Sequence, residues 1–504
     1  MEQLGKKVEP MVHFKAAIFV QPTAANVKLI IAELKEPKFK EYHLFFSNIV
    51  QPEMLAELAR NDDNEVIRSV QEYYADFMAV NEDFFHLGAE NSISLSSPRS
   101  RSLASSHVHD RNVNGVLSVL LALKRKPSQV RYQGSSDLAR RITSDIVARI
   151  EKDGIFDFRK QESTLLMILD RRDDPITPLL TQFTYQAMVH ELIGLNNNRV
   201  KLKGAPNISK DLEEVVLSST QDSFFNKMKH SHMGDLGVAV KQLMDDYQKQ
   251  SRLNEKLSSI EDMQNFMERY PAFRSQSINC SKHVALMGEL MRLTDKGSLL
   301  DVSGVEQDIA SPTTEHSLHK KQLLEKIQHP KILPADRLRL ALLYIIKYES
   351  YNETNIIKRA LSESGLGAKE TRLLDALIDY AGESRRAPGL FSQGSLVSQI
   401  GKVFSDITVG GMENHYTQHQ PLLSTLLESI VKGKLKDSAY PLASDSQSST
   451  KPTEIIVFIV GGATFEEATK VNAFNAANPS MKVILGGSCV HNSRSFLKEI
   501  GEFF

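Results

Sequence analysis

The sequence has almost no cysteine, no tryptophan and no long hydrophobic run, and these absences exclude several classes of protein. Its 504 residues include two cysteines, Cys280 and Cys489, too few for a disulfide framework or a cysteine-based zinc site; they indicate a reducing cytosolic compartment. Apolar runs such as residues 455–460 are far shorter than the ~20 residues that cross a bilayer. The first residues are polar, so we predict no signal peptide, and any membrane association would come through a partner.

An excess of charge of one sign is lacking too. The net charge is −1, so no overall field favours nucleic acid or acidic lipid as a partner. Hydrophobic residues make up 41% of the chain and charged residues 24%, which is ordinary for a soluble globular protein. At roughly 150 residues per domain, this length predicts about three domains.

The first part of the chain alternates strand and helix patterns, which predicts a parallel α/β layer. The pattern gives a buried strand at 16–20, a helix capped by Thr23, a strand at 42–50, short helices at 52–61 and 65–75, and a strand at 77–81. The serine-rich segment 92–110 has the composition of a flexible surface loop. Helices are predicted after it at 116–126 and 136–152.

Beyond Asn198 the pattern is helical for about 240 residues, at the 3.6-residue spacing of apolar positions. Residues 235–273 predict a helical hairpin or one projecting helix that stops or kinks at Pro271. Residues 335–350 are apolar nearly all round, which predicts a helix buried between other helices. Strand–turn–helix units return at 454–500. Because the strands near 165, 455 and 482 are all fully apolar, we expect one parallel sheet with the helical region inserted between its halves.

Two features suggest chemistry at the ends of these strands. Asp170, Asp173 and Asp174 could bind Mg²⁺, but Arg171 and Arg172 among them favour guanidinium–carboxylate pairing. The glycine pairs at 461–462 and 486–487 resemble phosphate-binding turns, yet neither completes a nucleotide-binding motif, and tight turns need glycine in any case.

Histidine and cysteine give weaker signals. Cys489 stands two residues before His491, and a buried structural cysteine is the favoured interpretation. His415 and His419 have a zinc-compatible spacing without a third ligand, so a packing role is favoured. The remaining pair, His230 and His232, is predicted to lie in a loop. We therefore predict no catalytic residue, no metal and no cofactor.

Four segments resemble the SM (Sec/Munc) family of syntaxin-binding regulators of vesicle fusion. The strongest is LLMILDRRDDPITPLLTQFTYQAMVHELIGLNNNRV, with Phe183 where the family pattern has tryptophan; MENHYTQHQPLL, IVFIVGGATFEEA and VILGGSCVHNSRSFL match further motifs in the expected order. The resemblance covers almost the whole chain. It implies that residues 170–178 are a structural corner whose charges pair internally and whose prolines fix the exit angle, rather than an active site.

The resemblance also implies a fold and a function. The fold is α/β plus α, a three-domain arch: domain 1 at 1–87, domain 2 at 88–198 and 448–504, and helical domain 3 at 199–447, with a projecting hairpin at about 229–290. The function is non-enzymatic: binding a syntaxin of the syntaxin-16 type and templating SNARE assembly in trans-Golgi and endosomal traffic, as a monomer that binds no nucleic acid and reaches membranes only through partners. The alternatives are another trafficking step, or a nucleotide- or metal-dependent enzyme that uses Asp170, Asp174 and the glycine pairs.

Two sites carry over by matching positions. Leu55, Ile67, Val70 and Glu72 fall on the family's pocket for the syntaxin N-terminal peptide, although the residues alone also fit core faces of two short helices. In the hairpin, Pro271 matches a hinge proline and Val284 a position that faces a vesicle SNARE. Relatives carry roughly one further strand–helix–strand unit before residue 11. We therefore expect domain 1 to lack part of its sheet and of the cavity wall, and to grip a whole syntaxin bundle weakly.

Overall fold

The computed structural model describes residues 3–6, 8–97, 103–159, 163–206, 208–254, 260–312, 315–391, 419–443 and 451–503. The strands of this part of the chain are β1 Met11–Val20, β2 Phe39–Phe46, β3 Ile67–Glu72, β4 Met78–Asn81, β5 Phe84–His86, β6 Gln129–Tyr132, β7 Thr164–Asp170, β8 Arg199–Lys201, β9 Glu214–Val216, β10 Glu454–Val460, β11 Ala463–Thr464, β12 Lys482–Gly487 and β13 Val490–His491.

The helices are α1 Ala24–Lys35, α2 Pro52–Arg60, α3 Leu103–Leu123, α4 Asp137–Lys152, α5 Tyr185–Met188, α6 Ser223–Met228, α7 Met233–Asn254, α8 Ile260–Lys296, α9 Leu299–Ala310, α10 His316–Gln328, α11 Pro334–Lys347, α12 Thr354–Glu363, α13 Ala368–Thr371, α14 Leu373–Ala381, α15 Leu422–Val431, α16 Phe465–Ala477 and α17 Ser493–Phe503. None of the helices in these ranges is both long enough and apolar enough to cross a bilayer.

The first sheet has the order β1-β2-β3, with parallel pairing throughout. Alternate side chains of β2, including Leu44 and Phe46, are buried under α1, and Thr23 caps α1 as predicted by accepting the Asn26 N–H. The prediction that the first strand is buried was wrong. β1 is an edge strand of this sheet, and Phe14 and Phe19 on it are more than half exposed.

The prediction of a helix at 65–75 was wrong as well. Residues 67–72 form β3, which pairs along β2 so that Val70 lies opposite Leu44. β-branched residues fit a half-buried strand, and this pairing overrides the local helical pattern. Two of the predicted pocket residues, Ile67 and Val70, are thus on a strand rather than on the core face of a helix.

The second sheet has the order β4-β5-β12-β10-β7-β6. β10 lies between β7 and β12 and pairs parallel with both, which confirms that the two distant segments share one sheet. The predicted strand at 77–81 exists as β4, but it joins this sheet antiparallel to β5 instead of extending the first one. β6 had no prediction, because its four residues give too short a pattern.

Helices cover both faces of this sheet, which explains its fully apolar strands. Leu120 of α3 and Ile142 of α4 pack on one face. Leu427 of α15 and Val471 of α16 pack on the other.

The serine-rich segment is more ordered than its composition indicates. Residues 92–96 form a buried 3₁₀ turn around Ile93, and α3 already begins at Leu103. The loop prediction was therefore wrong for these parts, while residues 98–102 lie outside the described ranges. Tertiary hydrogen bonds supply the order, since Asn112 donates to Ser92 and Glu499 accepts from the Ile93 N–H.

The inserted helices surround α11, whose residues 340–346 are all buried, as predicted. The hairpin is formed by α7 and α8. The break predicted at Pro271 was wrong, because the backbone of α8 is helical from Ile260 to Lys296. The φ of proline suits a helix, and the lost hydrogen bond and the clash of its ring, which cost about 3 kcal/mol inside a helix, do not end α8 at this position.

Candidate functional site

The charged corner at 170–178 is built around a buried arginine. Arg171 binds both carboxylate oxygens of Glu467 at 2.6 and 2.7 Å, and donates to the backbone carbonyls of Gly462 and Asp174 at 3.0 Å. Arg171 and Glu467 are 1% and 2% exposed. The prediction that the charges pair internally was wrong for this residue, whose partner lies 296 positions away.

The aspartates of the corner have protein partners as well. Asp170 accepts from Ser136 at 2.6 Å, and Asp173 from Ser135 at 2.9 Å. Asp174 accepts from the Thr177 hydroxyl at 2.6 Å and from the Leu422 N–H at 3.3 Å. Burial raises the pKa of Asp174, but the charge of Arg171 and the hydrogen bonds from Thr177 outweigh it and hold that pKa below its ordinary value. Such an arrangement links sheet and helices, and offers a metal ion no open carboxylate among these residues.

The two glycine pairs have different roles. Gly461 and Gly462 have φ of 87° and 96°, the left-handed conformation that glycine tolerates, and they turn the chain after β10. Gly486 and Gly487 end strand β12, so the turn predicted there was wrong. A Cβ on Gly486 would lie 2.1 Å from the Phe85 ring, so this glycine is required by packing.

Cys489 lies in a buried cluster with His491 and Glu499, the one group in the described residues close enough to share a metal ion. Its Sγ is 3.4 Å from His491 Nε2 and 3.7 Å from Glu499 Oε1. Burial raises the pKa of the Cys489 thiol, lowers that of His491 to about 3 and raises that of Glu499 to about 7. The Glu499 oxygens also accept the N–H groups of Asn91 and Ile93, so the cluster is satisfied by hydrogen bonds.

His419 and His230 each make a hydrogen bond to a threonine within the protein. His419 contacts Thr177 at 3.1 Å, and His230 contacts Thr469 at 3.0 Å. His415 lies outside the described residues.

The predicted peptide pocket lies on the outer side of α2 and β3. Leu55 on α2 is 38% exposed and Val70 on β3 is 40% exposed, whereas Ile67 is half-buried. Apolar side chains left open on two neighbouring elements could receive an apolar group of a partner.

Hydrogen bonds fix β3 to both ends of α2. Glu72, at the end of β3, accepts from the Val50 N–H at 2.8 Å, just before α2 begins. Asp62, just after α2 ends, accepts from the Val66 and Ile67 N–H groups at 3.0 Å. Glu72 thus has a structural contact in addition to its predicted role, and Asp62 was missed by the sequence analysis.

A groove of about 570 Å³ lies between the two hairpin helices and the loop before β9. This hairpin groove is lined by Ala205, Pro206, Ile208, Leu212, Met244, Tyr247, Gln248, Cys280, Ser281, Val284, Ala285, Gly288, Glu289 and Arg292. The predicted contact residue Val284 therefore faces an open apolar cavity. Pro271 is on the same helix as Val284, about three and a half turns before it at ~3.6 residues per turn.

Comparisons with known proteins match nearly the whole chain to one family. The Sec1 family matches residues 1–499. Vacuolar protein sorting-associated protein 45 of Dictyostelium discoideum is 42% identical over 501 residues, 99% of this chain and 87% of that protein. The protein of the same name from Homo sapiens is 41% identical over 497 residues, 98% of this chain and 85% of that protein.

Solved structures give the same result. The chain is similar to the SM protein Vps45 in complex with the Qa SNARE Tlg2, with a TM-score of 0.89 and 40% identity over 99% of this chain and 88% of that one. The Unc18–syntaxin 1 complex from Monosiga brevicollis gives a TM-score of 0.76 at 18% identity, over 99% of this chain and 90% of that one, a likeness of fold.

Proposed function

The chain belongs to the Sec1 family, and we propose that it regulates SNARE-mediated vesicle fusion by binding a syntaxin and templating SNARE assembly. The observation that carries this proposal is the likeness to an SM protein solved with a Qa SNARE. The partner is a syntaxin of the syntaxin-16 type. The place of action is the trans-Golgi and endosomal membranes, which the chain reaches through its partners.

The domain division is part of the proposal. Residues 1–87, the pair 88–198 and 448–504, and residues 199–447 form three domains of an arch. The two separate sheets and the helical insertion support it, with the refinement that β4 and β5 pair into the second sheet.

The outer side of α2 and β3 binds the syntaxin N-terminal peptide. The exposure of Leu55 and Val70 supports this, together with the hydrogen bonds that fix one element against the other. One inserted apolar side chain that buries ~100 Å² contributes about 2.5 kcal/mol at ~25 cal/mol per Å².

Calorimetric titration with a synthetic syntaxin-16 N-terminal peptide tests this site. Leu55→Arg places a charge in the apolar pocket and should remove most of the affinity. Leu29→Arg is the matched control, since Leu29 on α1 is 40% exposed and lies in the same sheet-and-helix unit. Equal affinities of the Leu55→Arg and Leu29→Arg proteins would refute the assignment.

The hairpin templates SNARE assembly. Val284 in the hairpin groove contacts the assembling helices, and Pro271 is a hinge, because a proline leaves its helix one hydrogen bond short. Assembly of fluorescently labelled SNAREs should be accelerated by the chain, and less so by Val284→Asp. An unchanged rate with this variant would exclude the groove.

The chain is not an enzyme. The partners of Arg171, Asp170 and Asp174 support this, since they satisfy the charges that the enzyme alternative would use. Titration with nucleotides and Mg²⁺ should give no binding heat. Saturable heat that Asp174→Ala abolishes would favour the enzyme.

A further inference from the structure

Asp222 receives four hydrogen bonds at the base of the hairpin. It caps α6 by accepting the Phe225 N–H at 2.9 Å. The same carboxylate accepts from three side chains of α8: Asn279 at 3.2 Å, His283 Nε2 at 2.9 Å and the Lys282 ammonium. Burial raises the pKa of Asp222, but the bonds from His283 and Lys282 outweigh it and hold that pKa far below its ordinary value, so the group is an anion.

Asp222 and its three donors on α8 form what we call the hairpin anchor. A further hydrogen bond connects this anchor to α5, which follows the corner. The Tyr185 hydroxyl, on α5, lies 2.8 Å from His283 Nδ1, and both side chains are fully buried. Burial lowers the pKa of His283, so its ring is neutral. With Nε2–H donating to Asp222, Nδ1 accepts from the tyrosine. Tyr185, His283 and Asp222 thus form one connected chain of hydrogen bonds.

Helix α8 carries the anchor and the hairpin groove on adjacent residues. Lys282 and His283 point to Asp222, while Cys280 and Val284 line the groove. A rotation of α8 that moves Val284 must therefore break bonds to a buried carboxylate, which is costly to leave unpaired. α8 has 37 residues. The bonds to Asp222 start from residues 279–283, about 20 residues after Ile260, which is about 30 Å at ~1.5 Å per residue, so a small tilt of α8 at this point becomes a larger displacement at its first residues.

We propose that Asp222 is a positioning residue for SNARE templating, which holds α8 in the orientation that presents the hairpin groove. The inference rests on the proposed function and assigns part of it to a residue that lines neither the pocket nor the groove.

The test is Asp222→Asn, since asparagine keeps the size and the helix-capping ability but removes the charge. Reaction of Cys280 with a thiol reagent reports the opening of α8, measured in a Cys489→Ser background that leaves one cysteine. We expect labelling to become about tenfold faster or more, as for loss of one charge-assisted hydrogen bond. SNARE assembly should slow while the N-terminal peptide binds as before.

Glu467→Gln is the matched control, because it weakens a buried ion pair away from α8. Under conditions where both variants have lost the same free energy of unfolding, Glu467→Gln should change Cys280 labelling and SNARE assembly less than Asp222→Asn does. Tyr185→Phe, which removes one hydroxyl, should give an intermediate effect and serves if Asp222→Asn does not fold.

Unchanged Cys280 labelling in both Asp222→Asn and Tyr185→Phe would overturn the inference, as would a templating loss no larger than that of Glu467→Gln. If the unmodified chain does not accelerate SNARE assembly, the proposed function fails. The labelling experiment still decides separately whether Asp222 holds α8.

Discussion

The corner at 170–178 and the outer side of α2 and β3 carry opposite kinds of side chain in opposite environments. The corner is rich in charge, and Arg171 and Asp174 are almost fully buried with their bonds made inside the protein. The outer side is apolar, and Leu55 and Val70 are more than a third exposed. The charged segment has the residue types of an active site, yet the apolar surface on α2 and β3 is the one that we propose binds a partner.

The difference between the two regions follows from what buried charges and exposed apolar side chains each require. A buried charge must be paired, and Arg171, Asp170 and Asp174 all have partners inside the protein. An exposed apolar residue is ordinary when alone. It indicates a binding surface when a second exposed apolar residue lies on a neighbouring element whose position is fixed. The hydrogen bonds of Glu72 and Asp62 fix β3 to α2 in this way.

The largest expected effect is on the corner. Arg171→Ala leaves Glu467 as a buried, unpaired carboxylate and should lower the free energy of unfolding by about 3–5 kcal/mol. Urea denaturation measures it. Arg359→Ala is the control, since this ion pair with Glu363 is 81% and 62% exposed and should be nearly silent. Similar midpoints for the two variants would mean that the corner is not a structural hub.

The sequence predicted the three central strands of the second sheet, β7, β10 and β12, for a physical reason. Residues 164–170, 454–460 and 482–487 are covered on both faces, so their apolar runs are continuous and easy to recognise. The first sheet is covered on one face, and the mixed pattern of β3 was mistaken for a helix. The partner of Arg171 is 296 residues away, and no local pattern contains that distance.

The residues of the candidate sites also could not be assigned from local sequence patterns alone. Leu55 came from the family resemblance, because apolar residues at helical spacing look alike whether they face a core or a partner. Asp222 gives a local capping signal before α6. Its three donors on α8 lie 57 to 61 residues further along the chain, so its role as an anchor is visible in the structure alone.

The next largest effect concerns a glycine that resembles part of a nucleotide site but is a packing residue. Gly486→Ala would press a methyl group into the Phe85 ring and should cost up to about 3 kcal/mol of stability. Gly288→Ala on α8 is the matched control. No atom lies within 4 Å of its added Cβ, so it should stabilise the helix by about 0.5–1 kcal/mol. Equal and small effects of both changes would argue against tight packing at β12.

A third prediction uses a buried histidine, another residue type that suggests a ligand site. Burial lowers the pKa of His230 from its ordinary 6.5 to about 3. Between these values the unfolded chain binds a proton that the folded one does not, so stability falls as the pH drops below 6.5 and is unaffected above it. At pH 5 the loss is at most about 2 kcal/mol. Urea midpoints at pH 7 and pH 5 should differ less in His230→Gln; an equal difference would show that His230 is protonated in the fold.

The smallest effect on stability should come from the outer side of α2 and β3. Leu55→Arg and Val70→Arg place a charge where the side chain already meets water, so each should change the free energy of unfolding by less than about 0.5 kcal/mol. Both should nevertheless lose peptide affinity, whereas Arg171→Ala should keep it at a temperature where the protein is folded. Urea denaturation and peptide titration on the same samples give both quantities. A large stability loss in Leu55→Arg would mean that this residue supports the fold, and the contrast between corner and pocket would then fail.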